Sequence, residues 1–339
     1  MKNGLYKWHV YSALFVSIFF TFLLITGIAN VFHGKIKQWE NPQFFSEIKD
    51  EGALLSPEEL YRKFSLKYPE YSISLLRKIP GKEKKPLECM LLSDQKEVYG
   101  YIHPISAELI GINEYPIHKK ILKWHTSLTL GRGGHFFMGF VGIIIAICII
   151  TGIAYFLKTA RRRRNSTRTK KWHFALGILT LIFNLLMVFT GIFLQYQDVM
   201  KKEKPKVYDY PEVLIHLDSA LAAAKDQFPE VSFKRIKFPA GTSDPVVLIG
   251  DEPGKWYLGS MPFELKLDRN TAETISVKEE TSIKGEAWIQ KTLITLHAGQ
   301  YGGGVSRWVY LAFSLGTLGS IITGLLNYRQ LRKRAYRKD

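Results

Sequence analysis

Cysteine is nearly absent: Cys89 and Cys148 are the only two in 339 residues. One falls in an extramembrane segment and the other inside a membrane span, so they cannot pair, and the chain has no disulfide framework. No C-x-x-C-H motif for thioether attachment of a prosthetic group is present, and no flavin- or nicotinamide-binding motif. Charge is missing from four long apolar runs, residues 10–32, 136–157, 172–194 and 305–327, none of which contains Lys, Arg, Asp or Glu after its first three residues. About 20 helical residues cross a bilayer's hydrocarbon core, and backbone groups in lipid must be satisfied within the segment. The fold class is therefore membrane α-helical, with four transmembrane helices. The first run is too long for the core of a cleavable signal peptide and has no small-residue cleavage site after it, so it reads as a retained span.

The net charge of +17 sits almost wholly in three segments. These are the N-terminus with Lys2 and Lys7, the loop 158–171 with eight basic and no acidic residues, and the tail from Tyr328 with six basic residues and Asp339. Four crossings put all three on one side, and the positive-inside rule makes that side the cytoplasm. The basic excess sets topology, and a nucleic-acid partner is not implied. The connections between spans one and two and between spans three and four then lie outside, each of domain size.

The chain repeats itself. "WHVYSALFVSIFFTFLLITG" aligns with "WHFALGILTLIFNLLMVFTG", and each of the four spans ends in Thr-Gly. His9 precedes Gly27 by 18 residues, as His173 precedes Gly191; His125 precedes Gly152 by 27, as His297 precedes Gly324. The Gly-rich turns "LGRGG" and "AGQYGGG" follow His125 and His297. The outer segments repeat more faintly. "SPEELYRKFSLKYPE" predicts a helix with Ser56 as N-cap and Pro57 at its first position, answered by "PEVLIHLDSALAAAKDQFPE". The segments "LECMLLSD", "EVYGYIHPISAELIGI", "PVVLIGD", "KWYLGS" and "FELKLDRNTAETISV" read as short antiparallel strands. The expected order is thus N-terminus and first span, 1–33; outer domain, 34–120; interfacial segment and second span, 121–157; basic loop, 158–171; third span, 172–195; second outer domain, 196–290; interfacial segment and fourth span, 291–327; basic tail, 328–339.

Span, small α+β domain, span, taken twice, resembles the PepSY-associated transmembrane family of bacterial inner-membrane proteins. "YIHPISAELIG" and "LKLDRNTAETI" resemble the closing strands of PepSY domains, which read as Asp-Pro, Thr-Gly and Glu. This chain departs from that pattern with His103 for the Asp and with Ala107 and Ala272 for the Gly. The resemblance implies two pseudo-symmetric halves, each carrying a PepSY-like periplasmic domain, and a place in iron uptake, where some relatives are implicated as haem-containing reductases of ferric siderophores.

Four equivalent histidines occupy two depths. His9 and His173 begin spans one and three at the cytoplasmic border, while His125 and His297 precede spans two and four at the outer border. Pseudo-symmetry brings like positions together, giving one His pair per face, and two imidazoles supply the axial ligands of one haem iron without any cysteine. Eighteen helical residues span about 27 Å, the hydrocarbon thickness. Gly27 and Gly191 therefore lie level with His125 and His297, and Gly152 and Gly324 level with His9 and His173, where a missing side chain leaves room for a porphyrin. A lone Trp-His at a bilayer border reads as an interfacial anchor and a lone Gly as helix packing. Recurrence in both halves favours His as ligand and Trp as belt. His118 is a reserve outer ligand, while His33 and His135 pair with no second histidine. His103 and His216 read as surface residues. Arg132 and Arg307 could hold haem propionates or an anionic substrate, against ordinary interfacial snorkelling.

The leading functional reading is an electron conduit with two haems b, passing electrons from a separate cytoplasmic or membrane donor to a periplasmic acceptor, for which the resemblance implies a ferric siderophore. The alternative is a non-enzymatic membrane anchor displaying PepSY-like domains as peptidase inhibitor or sensor. Four spans without an intramembrane charge give a transporter little support.

Overall fold

The computed structural model describes residues 4–80, 84–93, 96–159, 167–201, 216–239, 241, 244–251, 262–278, 285–301 and 303–336. It divides into two compact units: residues 1–33, 120–202 and 289–339 form a helical unit, and residues 34–119 and 203–288 form a sheet unit.

Four helices of the helical unit are long and apolar enough to cross a membrane: Gly4–Val31, Gly131–Thr159, Leu181–Met200 and Gly303–Lys333. The chain is a membrane protein with four spans. Helix α1 is Gly4–Val31 and α5 is Gly131–Thr159. The third apolar run, expected as one helix, is divided: α6, Arg168–Leu179, and α7, Leu181–Met200, meet at Thr180, whose φ and ψ of −95° and 1° interrupt the helix. The fourth span belongs to α10, Gly303–Tyr336. Glycines set the spacing between helices. A Cβ on Gly142 of α5 would lie 2.9 Å from Ile192 of α7, and one on Gly316 of α10 would lie 2.9 Å from Thr180. Close approach at small residues replaces the hydrophobic effect as the association force in lipid.

The middle of the bundle differs from one side to the other. Val16, Val141 and Ile145 form an apolar cluster between α1 and α5. At the corresponding positions of the second half, Thr180 and Thr317 are buried with Asn184: Asn184 Nδ2 donates to Thr180 Oγ1 at 3.0 Å, and Thr317 Oγ1 donates to Asn184 Oδ1 at 2.8 Å.

Two shorter helices, α4 (Ile117–Ser127) and α9 (Glu286–His297), run into α5 and α10. The α4–α5 turn needs its glycine: a Cβ on Gly134 would lie 1.8 Å from the Ser127 carbonyl oxygen. Within the sheet unit the start of α4 is capped by Glu40, whose carboxylate accepts from Ile117 N at 3.1 Å. Glu40 ends α2, His33–Glu40.

Among the described residues the sheet unit holds one eight-stranded antiparallel sheet. Strands β1 (Ser72–Leu76), β2 (Leu87–Ser93), β3 (Lys96–Ile102) and β4 (Leu109–Asn113) form one meander. Strands β5 (Ser232–Lys237), β6 (Val246–Asp251), β7 (Pro262–Leu267) and β8 (Thr274–Lys278) form a second. The order is β4-β3-β2-β1-β5-β6-β7-β8. The two outer segments read from sequence as separate small domains therefore share one sheet and one unit, joined where Leu75 pairs with Lys237 and Leu76 with Ile236. The "KWYLGS" segment lies outside the described residues.

Helices α3 (Pro57–Lys67) and α8 (Leu217–Gln227) supply Leu60, Phe64, Leu217, Leu221 and Ala224 to a core shared with the strands. Ser56 and Glu59 close the capping box on α3. The helices meet N-terminus to N-terminus: Glu58 N donates to Asp218 Oδ1 at 3.2 Å and Asp218 N donates to Glu58 Oε2 at 3.4 Å. Each carboxylate thus answers the positive end of the other helix.

Candidate functional site: two facing histidine pairs

Each histidine of the fourfold recurrence meets one glycine. At the end of the bundle carrying the N-terminus, a Cβ on Gly152 would lie 2.9 Å from His9 Cε1, and one on Gly324 would lie 3.0 Å from His173 Cε1. At the other end, a Cβ on Gly27 would lie 3.3 Å from His125 Cε1, and one on Gly191 3.2 Å from His297 Cε1. The space each glycine frees is filled by an imidazole. The sequence expectation gave that space to a porphyrin, so the immediate role of these glycines is to let a ring lie against a neighbouring helix.

The rings pair across the bundle. The His9 and His173 centroids are 6.1 Å apart with planes inclined at 49°. The His125 and His297 centroids are also 6.1 Å apart, inclined at 50°. Among the described residues no group of three or more His, Cys, Asp or Glu could hold a metal ion.

All four rings are anchored through Nδ1. His9 Nδ1–H donates to the Cys148 carbonyl at 2.9 Å, and His173 Nδ1–H to the Ser320 carbonyl at 2.9 Å. These carbonyls lie one turn before Gly152 and Gly324. At the other end the acceptors are hydroxyls: Nδ1 of His125 is 2.9 Å from Thr26 Oγ1, and Nδ1 of His297 is 2.8 Å from Thr190 Oγ1. Each hydroxyl spends its hydrogen on its own helix, Thr26 on the Phe22 carbonyl at 2.8 Å and Thr190 on the Leu186 carbonyl at 2.7 Å. It must therefore accept from the imidazole. This fixes the Nδ1–H tautomer in all four rings, and Nε2 is left without a hydrogen-bond partner among the described residues. An imidazole whose second nitrogen is tied to an outer partner is the usual form of a metal ligand. On α4 and α9, ahead of the spans, burial pushes His125 and His297 down to about 4, with His297 adding like-charge repulsion to His125. Both are neutral bases at physiological pH.

Thr26 and Thr190 are the site residues that sequence reading missed. The signal was the Thr-Gly recurrence, read for its glycine alone. The other candidates lie elsewhere. His33 Nδ1–H donates to the Asn30 carbonyl at 2.9 Å. His135 Nδ1 meets Gln195 Oε1 at 2.8 Å. His118 is buried edge-on against Tyr99 at 5.9 Å in the sheet unit. Arg132 and Arg307 are exposed. Trp8, Trp124 and Trp172, beside the paired histidines, are exposed as well. Both cysteines are free.

His103 is not the surface residue expected. Its side chain is 13% exposed, and its Nδ1 accepts from Ile105 N and Ser106 N at 3.3 and 3.2 Å. Asp268 Oδ1 accepts from Asn270 N and Thr271 N at 2.8 and 3.0 Å at the corresponding turn. An imidazole nitrogen here does the work of a carboxylate oxygen. In both turns an alanine has positive φ, 57° at Ala107 and 60° at Ala272.

Fold and site define a four-span membrane protein in which helical glycines seat two facing pairs of imidazoles. The family model of the PepSY-associated TM region matches residues 6–330, and the chain belongs to that family. No curated protein matches it.

Proposed function

We propose that the protein is an inner-membrane electron-transfer protein with two haems b, built as two pseudo-symmetric halves whose PepSY-like sheet elements face the periplasm. One observation carries the reading: two imidazole pairs, each with Nδ1 tied and 6.1 Å between ring centres. That separation would let the two imidazoles of a pair serve one metal ion. A pair of protein ligands suits an ion whose remaining positions are filled by a macrocycle, and the residues fit that group. His9 and His173 would hold one haem, His125 and His297 the other, and bound haem supplies reversible one-electron chemistry. The chain's own residues fix each ring's tautomer and direction, and its apolar helices exclude water. The positive loop 158–171 and tail favour the His9–His173 end as cytoplasmic, so a separate donor would act at that end and the acceptor at the periplasmic end. Family membership favours a ferric siderophore as acceptor; hard oxygen chelators hold Fe(III) far better than Fe(II), so one-electron reduction loosens the iron.

A pyridine haemochrome assay on haem-supplied protein tests this, with two haems expected per chain. His9→Ala or His173→Ala removes one, and His125→Ala or His297→Ala removes the other. A folded, colourless preparation sinks the proposal and leaves the non-enzymatic PepSY anchor standing.

A further inference from the structure

The two ends differ in one respect that the repeat does not predict. All four spans carry a Thr-Gly pair, yet only two of the four hydroxyls reach an imidazole. Thr151 Oγ1 donates to the Ile147 and Cys148 carbonyls at 2.7 and 3.1 Å, and Thr323 Oγ1 to those of Gly319 and Ser320 at 2.7 and 3.1 Å. There His9 and His173 bond directly to amide carbonyls, with Cys148 Sγ at 3.7 Å and Ser320 Oγ at 3.5 Å as more distant neighbours. At the other end the Leu23 and Met187 carbonyls, which correspond to those of Cys148 and Ser320, also act on the rings as backbone hydrogen-bond partners. The short contacts of Nδ1 there are to the hydroxyls, Thr26 Oγ1 at 2.9 Å and Thr190 Oγ1 at 2.8 Å, where at the first end they are to carbonyls.

We propose that Thr26 and Thr190 are positioning residues that hold the His125–His297 centre at a higher reduction potential than the His9–His173 centre. The inference rests on haem being held by these pairs. An imidazole whose N–H donates to a strong acceptor gains anionic character and becomes a more basic ligand, which favours the oxidised metal. An amide carbonyl carries a larger dipole than a hydroxyl oxygen. Donation of the Thr26 hydrogen to Phe22 polarises the hydroxyl, but cooperative strengthening of the order of 10–30% does not close that gap. The carbonyl-anchored centre therefore has the lower potential. With haem bound, a single electron would favour the His125–His297 end at equilibrium. Direction is thereby set by which atom accepts one hydrogen bond.

The test is a potentiometric titration of the full, haem-supplied chain in detergent, followed in the haem α-band. His9→Ala and His173→Ala leave one centre and so assign the steps. Two one-electron steps are expected, with the His125–His297 centre higher. Thr26→Val together with Thr190→Val keeps shape and removes the hydroxyls, returning each Nδ1–H to the Leu23 and Met187 carbonyls. The upper midpoint should then fall toward the lower one at unchanged haem content, and Thr26→Ser with Thr190→Ser should restore it. An upper step assigned to His9–His173, or valine variants with full haem and an unmoved or raised midpoint, overturns the inference while leaving haem ligation intact. If the valine pair loses haem, the wild-type order of midpoints still decides. Haem content indifferent to all four histidines overturns the reading beneath it.

Discussion

Alanine at the four helical glycines separates seating a ring from packing a helix. A Cβ on Gly152 would lie 2.9 Å from His9 Cε1, whereas carbon atoms settle at about 3.5–4.0 Å. His9 must therefore retreat by at least about 0.6 Å, beyond the roughly 0.5 Å within which a ligand constellation must be held. At Gly27, where the distance is 3.3 Å, the retreat is only about 0.2 Å by the same contact distance. In both cases the obstructing atom is the tip of a rotatable side chain, so the ring yields and the helices stay. Alanine also gains about 1 kcal/mol of helix propensity over glycine, which offsets most of the strain. Gly152→Ala should thus leave the thermal midpoint within a few degrees. It should stretch the 2.9 Å bond from His9 to the Cys148 carbonyl and weaken haem retention at the His9–His173 centre by about 10–100-fold, the usual effect of disturbing a ligand's outer partner. Gly324→Ala, at 3.0 Å, should behave similarly and more mildly, while Gly27→Ala and Gly191→Ala keep their site. Leucine at any of the four should empty the site it touches. The assay is haem titration into haem-free protein, with thermal unfolding in parallel. Equal loss of stability at all four positions without selective haem loss, or loss at Gly27→Ala with Gly152→Ala unaffected, would refute the reasoning.

Ala107→Gly and Ala272→Gly should each stabilise the sheet unit by about 0.5–1 kcal/mol, because relief of a left-handed backbone exceeds the added unfolded-state entropy. Ala107→Val should destabilise it, and denaturant midpoints report both. Thr317→Val removes the donor to Asn184 Oδ1 and should cost about 0.6–1.7 kcal/mol, the range for interhelical hydrogen bonds in bilayers, measured by unfolding in mixed detergent. Burial, aided by Glu88, pushes the Cys89 thiol well above its ordinary range. It stays protonated through physiological pH, so in a Cys148→Ala background maleimide should label Cys89 only after denaturation.

The spans and the histidine recurrence were legible because each is a local pattern: apolar length announces a span, and a fixed interval announces a repeat. What failed was any fact carried by geometry across the chain. Thr26 reads as a helical threonine satisfied by its own carbonyl, which it is; that its remaining lone pairs meet an imidazole 99 residues away leaves no mark in one dimension. Thr180 sits inside an unbroken apolar run, and the helix break there comes with a buried polar contact to α10. His103 reads as a surface residue in the sequence because a histidine rarely caps a turn. Only the matching bonds at Asp268 show it standing in for the acid. The pairing of β1 with β5 joins segments whose similarity suggested independence.

That seam has a consequence for how the chain comes into being. Ile236 and Leu76 are ladder partners separated by about 160 residues, and at about 5–20 residues per second of synthesis the partner of β1 arrives roughly 8–30 s after β1 itself. During that interval four strands exist with two open edges, β1 and β4, and an unpaired edge is a template for any passing extended chain. Completion removes one of these edges and leaves β4 and β8 as the termini of the sheet. A chain interrupted after its second span would carry His9 and His125 and yet keep β1 permanently open, so half-molecules should be recovered as aggregates or as dimers joined edge to edge through β1.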